Sequence, residues 1–225
     1  AKGPPANPIE MGMKDLDAVI ARIRAIPGYA PLFEAAYGKG APISVDNAFK
    51  AIAAYERTLV TPDSAYDRYV SGNVKAMSAQ QLRGMRKFET TGCVACHQGV
   101  NLSGPEMPTG TPFLMRFPTY ADSAYVAKYD LASDLGRAAS TNRAEDEHMW
   151  RVPTLRNLVY TAPYMHNGKV KTLPEAVRVM ASTQLNAELS DADVADVVAF
   201  LESMTGKFPV QTMPRLPATP GDLIE

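Results

Sequence analysis

The chain has 225 residues, 46% of them hydrophobic, with 23 Lys and Arg against 24 Asp and Glu for a formal net charge of −1. That length can bury a substantial core in one domain or two small ones. The charge balance leaves no electrostatic footprint for nucleic acid or an anionic membrane surface, so neither is expected as a partner. No apolar run approaches a bilayer span, and the opening Ala1-Lys2-Gly3-Pro4-Pro5-Ala6-Asn7-Pro8 has no apolar signal core.

In chain order, Leu16, Val19, Ile20 and Ile23 fall at i, i+3, i+4 and i+7, predicting an amphipathic helix from Met13 to Ile26 stopped by Pro27. Pro31 to Tyr37 predicts a second, short helix with Leu32, Phe33 and Ala36 inward and Gly38 as its stop. Ser44 is placed to cap a longer helix running to about Leu59, ended by Thr61-Pro62. Its buried stripe is read as Phe49, Ile52, Ala53 and Tyr55 or Leu59. After a short segment from Ser64 to Val70, Ser78 and Gln81 make a capping box for a helix through Phe88 or Thr90. Gly92 then lets the chain turn into Cys93-Val94-Ala95-Cys96-His97.

Between Gln98 and His148 the periodicity is lost among Gly104, Pro105, Pro108, Gly110 and Pro112, as in a solvated excursion or a loop wrapped around something. Thr172-Leu173-Pro174-Glu175 is a second capping box, and its helix carries Ala176, Val177 and Met180. Ser190 caps the last helix, with Val194, Val197, Val198, Leu201 and Met204 inward before Gly206. The tail after Lys207 is proline-rich and reads as extended over the surface. With no strand pair and no internal repeat, the expected fold is all-α, with long irregular loops.

C-x-x-C-H is the attachment signature of haem c: two thiols add across the porphyrin vinyl groups and the next histidine binds the iron. A redox dithiol would want a βαβ context, and a structural zinc site needs more paired ligands than these two cysteines and two further histidines supply. His97 is therefore one axial ligand, and the other decides the chemistry, since a thioether raises the potential while an open position admits substrate. Eleven methionines are available. Position favours Met180 or Met165, with His148 and His166 as alternatives, because a distal ligand comes from a segment far from the proximal one. Arg151 and Arg156 could pair with haem propionates or serve the fold. His166 could orient its surroundings or be a satisfied structural histidine, and Glu145-Asp146-Glu147 reads as a solvated face.

The ordered blocks carry a resemblance over essentially the whole chain. They are Ala1-Lys2-Gly3-Pro4 with Ile9-Glu10-Met11, Ala53-Ala54-Tyr55-Glu56-Arg57-Thr58-Leu59, Gly92 to His97 with Gly99-Val100-Asn101-Leu102, and Pro153-Thr154-Leu155-Arg156-Asn157. Thr161 to Gly168, Met180 with Gln184-Leu185-Asn186, and Val198-Ala199-Phe200-Leu201 complete the set. The chain resembles the bacterial dihaem cytochrome c peroxidases.

The resemblance implies a cytochrome c-like electron-transfer domain over residues 61–206, the later part of the peroxidatic-haem domain over 1–60 as helices of a second cytochrome c-like domain, and an extended tail over 207–225. It implies that Cys93 and Cys96 hold haem c, that His97 and Met180 ligate its iron, and that the backbone carbonyls of Thr161 and Pro163 bind calcium. Glu10 falls on the family's acid/base glutamate over a peroxidatic haem that reduces hydrogen peroxide to water. The chain departs from the pattern in having one C-x-x-C-H where the family has two. The second haem is expected from a missing N-terminal segment or another chain, and Trp150 belongs to a different block from the family's bridging tryptophan. A periplasmic location is expected because haem c is normally attached after export; a small cytochrome c or cupredoxin is implied as electron donor, and a homodimer is expected. The alternatives are a free-standing monohaem carrier, and a relative of the dihaem enzyme that matures methylamine dehydrogenase, which has an axial tyrosine where methionine is read here.

Overall fold

The structure is a computed structural model and describes residues 2–219. It divides into two compact units: one made of the residues up to Val60 with the stretch from Phe208 onward, the other of Thr61–Lys207.

The first unit holds α1 (Gly3–Ala6), α2 (Leu16–Arg24), α3 (Tyr29–Tyr37) and α4 (Val45–Glu56). Helix α2 starts later than the periodicity suggests because the Asp15 carboxylate takes the Ala18 N–H at 2.7 Å and fixes the cap there. In α3 the inward row is Tyr29, Phe33 and Tyr37, spaced by four, around buried Ile20 and Ala48. Leu32 and Ala36 sit about a third of a turn off that row and are exposed, which corrects their expected burial. Ser44 caps α4 as read, accepting from Asn47 N–H at 3.2 Å. Ala48 and Phe49 are buried, but Ile52, Tyr55 and Leu59 lie 43–50% exposed, so the stripe is buried only in its first half. The helix closes at Glu56, before Leu59, as the N–H groups of Thr58 and Leu59 bond three residues back.

Residues 207–219 carry neither helix nor strand; the remainder of the expected tail, 220–225, lies outside the described residues. Pro217 packs on Gly28, where an added Cβ would meet the ring at 2.6 Å.

The second unit holds α5 (Ala65–Val70), α6 (Ala79–Thr91), α7 (Ala124–Tyr129), α8 (Ala138–Thr141), α9 (Leu173–Leu185) and α10 (Asp191–Glu202). Reciprocal capping boxes open α5, through Ser64 and Asp67, and α6, through Ser78 and Gln81. At α9 the box is only half made. Thr172 accepts from Glu175 N–H, while the Glu175 carboxylate turns to Lys128 and the Tyr129 hydroxyl.

Two strands, β1 (Leu114–Arg116) and β2 (Met149–Arg151), pair antiparallel with Met115 opposite Trp150, correcting the expectation of no strand pair. Three residues are too few for an alternation to register in the sequence. The long excursion is thus partly ordered, by this ribbon and by α7 and α8. The acidic run is also not simply solvated: Asp146 takes the Thr141 hydroxyl at 2.8 Å and lies 3.1 Å from Arg137.

The frame is the crossing of α6 on α10. Gly84 lies against the Asp196 carbonyl so closely that an added Cβ would sit 1.8 Å from its oxygen. Arg83 grips the Asp196 carboxylate with two bonds of 2.8 and 2.9 Å, and Lys87 meets Asp193 at 2.9 Å. Phe88, Phe200, Leu201 and Met204 fill the core beside the crossing, the two rings 5.4 Å apart. The ends of this unit are sewn together. The Asn157 side chain donates to Thr61 Oγ1 at 2.7 Å and accepts from Gly206 N–H at 3.1 Å. Lys207 N–H reaches the Pro62 carbonyl at 3.3 Å. Among the described residues no helix is long and apolar enough to cross a membrane.

Candidate functional site

Helix α6 ends on Gly92, whose left-handed φ of 100° turns the chain directly into a 3-10 turn, Cys93–Ala95. The N–H groups of Cys96 and His97 both bond the Cys93 carbonyl, at 3.3 and 3.0 Å, so both thiols and the imidazole are displayed from one turn. Cys93 packs on the core beneath α6 and α10. Burial pushes its thiol up to about 11 and raises that of Cys96 as well. A redox dithiol needs the opposite, a lowered thiol that ionises near neutrality. Relative to an ordinary thiol at 9.0, Cys93 should hold about a hundredfold less thiolate at pH 7. In haem-free protein, alkylation of Cys93 should therefore be slower than in a short peptide by about that factor. Labelling as fast as the peptide would restore the dithiol reading.

His97 stands beside Phe88, ring centroids 6.4 Å apart, with Nδ1 2.9 Å from the Leu102 carbonyl. A carbonyl only accepts, so Nδ1 carries the hydrogen and Nε2 keeps its lone pair. Burial lowers the imidazole's pKa, outweighing the carbonyls of Leu102 and Pro153 that favour the charged form. The ring is held neutral, oriented and ligand-ready.

Met180 lies on α9, which stands between two apolar clusters. Leu173 and Val177 join the cluster that contains Phe88 and Cys93; Ala176, Val179 and Met180 join a second one with Phe117, Val126, Leu131 and Val170. Met165 borders the second cluster as well, and Tyr164 borders both. The alternative ligand His148 sets Nδ1 3.2 Å from the Asp134 carbonyl. His166 stacks on Trp150 at 4.3 Å and 23°, with Phe117 edge-on at 5.9 Å. Trp150 Nε1 and His166 Nε2 are buried with no hydrogen-bond partner among the described residues. Two stacked rings with unpaired nitrogens fit a cofactor that brings acceptors of its own, as the propionates of haem do. With thiols, imidazole and thioether in the same unit, the donor set suits haem c.

Arg151 is exposed on β2, whereas Arg156 is engaged by protein, bonding Asp67 and the Val100 carbonyl at 2.8 Å each. Those contacts favour, for Arg156, the structural role that the sequence left open beside propionate pairing. Thr161 and Pro163 are exposed on the loop before the Tyr164–Val170 bridge, Pro163 following a cis peptide. Glu10 belongs to the first unit, exposed in the turn after α1, with its N–H on the Asn7 carbonyl at 3.1 Å. Its neighbour Met11 lines an apolar cleft of about 260 Å³ with Pro5, Met13, Phe49 and Ile52. Among the described residues no three or more His, Cys, Asp and Glu side chains gather as a metal cage.

Comparison with known proteins gives this geometry a class. The cytochrome c family model matches residues 81–205, and the chain belongs to that family. A second model, di-haem cytochrome c peroxidase, matches residues 1–75. The chain is 42% identical over 221 residues to the cytochrome c551 peroxidase of Pseudomonas aeruginosa, covering 97% of this chain and 61% of that one. It is 39% identical over 209 residues to the cytochrome c peroxidase Ccp of Escherichia coli, covering 92% and 42%. The solved structure of a MauG-like protein associated with microbial copper homeostasis superposes with a TM-score of 0.70 at 28% identity, over 89% of this chain and 65% of that one. The chain thus spans 42–61% of the length of these two peroxidase relatives. The expected family resemblance and helical cytochrome c fold are borne out, and haem c is the cofactor of this class. Nothing in the comparisons supports the free-standing carrier.

Sequence reading missed the Leu102 carbonyl, the Trp150–His166 stack and the Arg156 contacts. Leu102 and Arg156 lie inside blocks that were visible; their spacing along the chain carries no sign of who meets whom.

Proposed function

We propose that this chain is the electron-transfer part of a dihaem cytochrome c peroxidase. Reducing hydrogen peroxide to two waters takes two electrons and two protons. The bound haem supplies one-electron storage at a potential set by its axial ligands. Cys93 and Cys96 fix its plane, His97 offers Nε2, and Met180 offers the thioether that raises the potential. The Thr161 and Pro163 carbonyls are the expected calcium ligands, oxygen donors that suit a hard cation. Glu10 is assigned the proton shuttle of the peroxidatic site, where its carboxylate would accept a proton from one peroxide oxygen and return it to the other, the second haem supplying the electron transfer if bound.

Electrons would come from a small cytochrome c or cupredoxin in the periplasm, to a homodimer. The observation that carries the reading is the half-buried, neutral His97, its Nδ1 tied to the Leu102 carbonyl, carried on the same turn as the two cysteines. The test is haem count per purified particle together with peroxide-dependent oxidation of a reduced small cytochrome c. Two haems and turnover are expected. One haem and no turnover in protein carrying the N-terminal segment would reduce the chain to a carrier.

A further inference from the structure

His97 is aimed by a carbonyl, and that carbonyl sits on a loop with little regular structure of its own. Leu102 closes a tight turn, its N–H on the Gly99 carbonyl at 3.1 Å, its φ at 49° and its side chain buried. What holds the turn in place comes from fifty residues further along. Thr154 Oγ1 donates to the Asn101 carbonyl at 2.8 Å, and Leu155 N–H reaches the same oxygen at 3.3 Å. Arg156 Nε donates to the Val100 carbonyl at 2.8 Å. Its far nitrogen, Nη2, is pinned to Asp67 Oδ1 at 2.8 Å, while the Asp67 Oδ2 caps α5 through Ser64. Burial alone would raise the Asp67 carboxyl, but Arg156 and Ser64 outweigh it and hold it below the usual range. The pair is largely shielded, with side-chain exposures of 15% and 27%.

We infer that Arg156 is a positioning residue for the haem: it clasps residues 100–102 against α5 and thereby fixes the Leu102 carbonyl that orients and electron-enriches His97. The inference rests on the reading of His97 as an iron ligand. Outer partners of metal-bound histidines tune ligand basicity, and losing one changes metal affinity by about 10–100-fold. A more basic imidazole favours ferric iron, so loosening the clasp should raise the reduction potential. Arginine is needed because its planar fork donates in two fixed directions at once; a lysine ammonium can answer Asp67 but not hold the Val100 carbonyl in the same geometry.

The experiment compares Arg156→Ala and Arg156→Lys with the parent holoprotein in haem content, thermal midpoint and reduction potential. Both variants should keep haem attached. The lysine variant should recover most of the midpoint lost in the alanine variant. Both should nonetheless show about a tenfold loss of preference for ferric iron, read as an upward shift of about 59 mV for one electron. A potential that stays at the parent value, or one that recovers with the midpoint in the lysine variant, would overturn the proposal. If the parent takes up no haem, the iron-ligand reading fails, and the clasp is read in the haem-free chain from the His97 ring nitrogens by NMR. A parent held in the Nδ1–H tautomer and variants that lose it would support the clasp; identical spectra in all three would overturn it.

Discussion

Met180→His should leave haem bound to Cys93 and Cys96 but lower its reduction potential by about 0.3 V, well inside the roughly 0.8 V that axial ligands command. At about 59 mV per decade for one electron, that is about five decades in the equilibrium for accepting an electron from a donor. The direction follows from ligand chemistry. A thioether stabilises ferrous iron, whereas a second imidazole donates to and stabilises ferric iron. The site suits the experiment because Val179 and Ala181 on either side are buried, so the backbone of α9 is held while the ligand is exchanged. Potentiometry reads the outcome, with Met165→His as the comparison. Both methionines border the same cluster, yet only the ligand's replacement should move the potential. A shift confined to Met165→His would transfer the ligand role to that residue.

Gly84→Ala should destabilise the second unit by about 3 kcal/mol, at the upper end of what overpacking costs. For a domain of this size that lowers the thermal midpoint by about 10 °C. Helix propensity argues for the opposite sign, since alanine is favoured over glycine in a helix interior by about 1 kcal/mol. The contact decides it. A Cβ at Gly84 would stand 1.8 Å from the Asp196 carbonyl oxygen and 2.9 Å from Phe200 Cβ. Backbone cannot rotate away as a side-chain tip can, so α6 and α10 must separate. The separation would loosen the Arg83–Asp196 fork and the Phe88–Phe200 contact together. Calorimetry or thermal circular dichroism measures the change; a midpoint equal to or above the parent's would show that the crossing can relax.

The readings that succeeded rest on local chemistry. Ser44, Ser78 and Ser190 cap the helices they were assigned, because an N-cap is decided within three residues. The family was legible from its ordered blocks. What stayed hidden is non-local or competitive. Leu32 looks as buried as Phe33 until the row that faces the core is known. Glu175 was expected to complete a cap and instead answers a lysine and a tyrosine 47 and 46 residues away. The ribbon of Leu114–Arg116 on Met149–Arg151 is too short to announce itself. At the site, the attachment motif was plain, but the carbonyl that aims His97 and the arginine that steadies it are backbone and long-range facts with no signature in spacing.

The stitch at Asn157 has a topological meaning. It brings Thr61 and Gly206 together, so the haem-binding unit begins and ends at one point, while the other unit is assembled from chain on both sides of it. Such a unit is an insertion whose ends could be joined and reopened elsewhere. A circular permutant of residues 61–207, its ends linked by a few residues and its new termini placed on the exposed stretch around Met107 to Thr111, should fold and take up haem. One module would then have been carried within the chain of another, nested rather than strung in line.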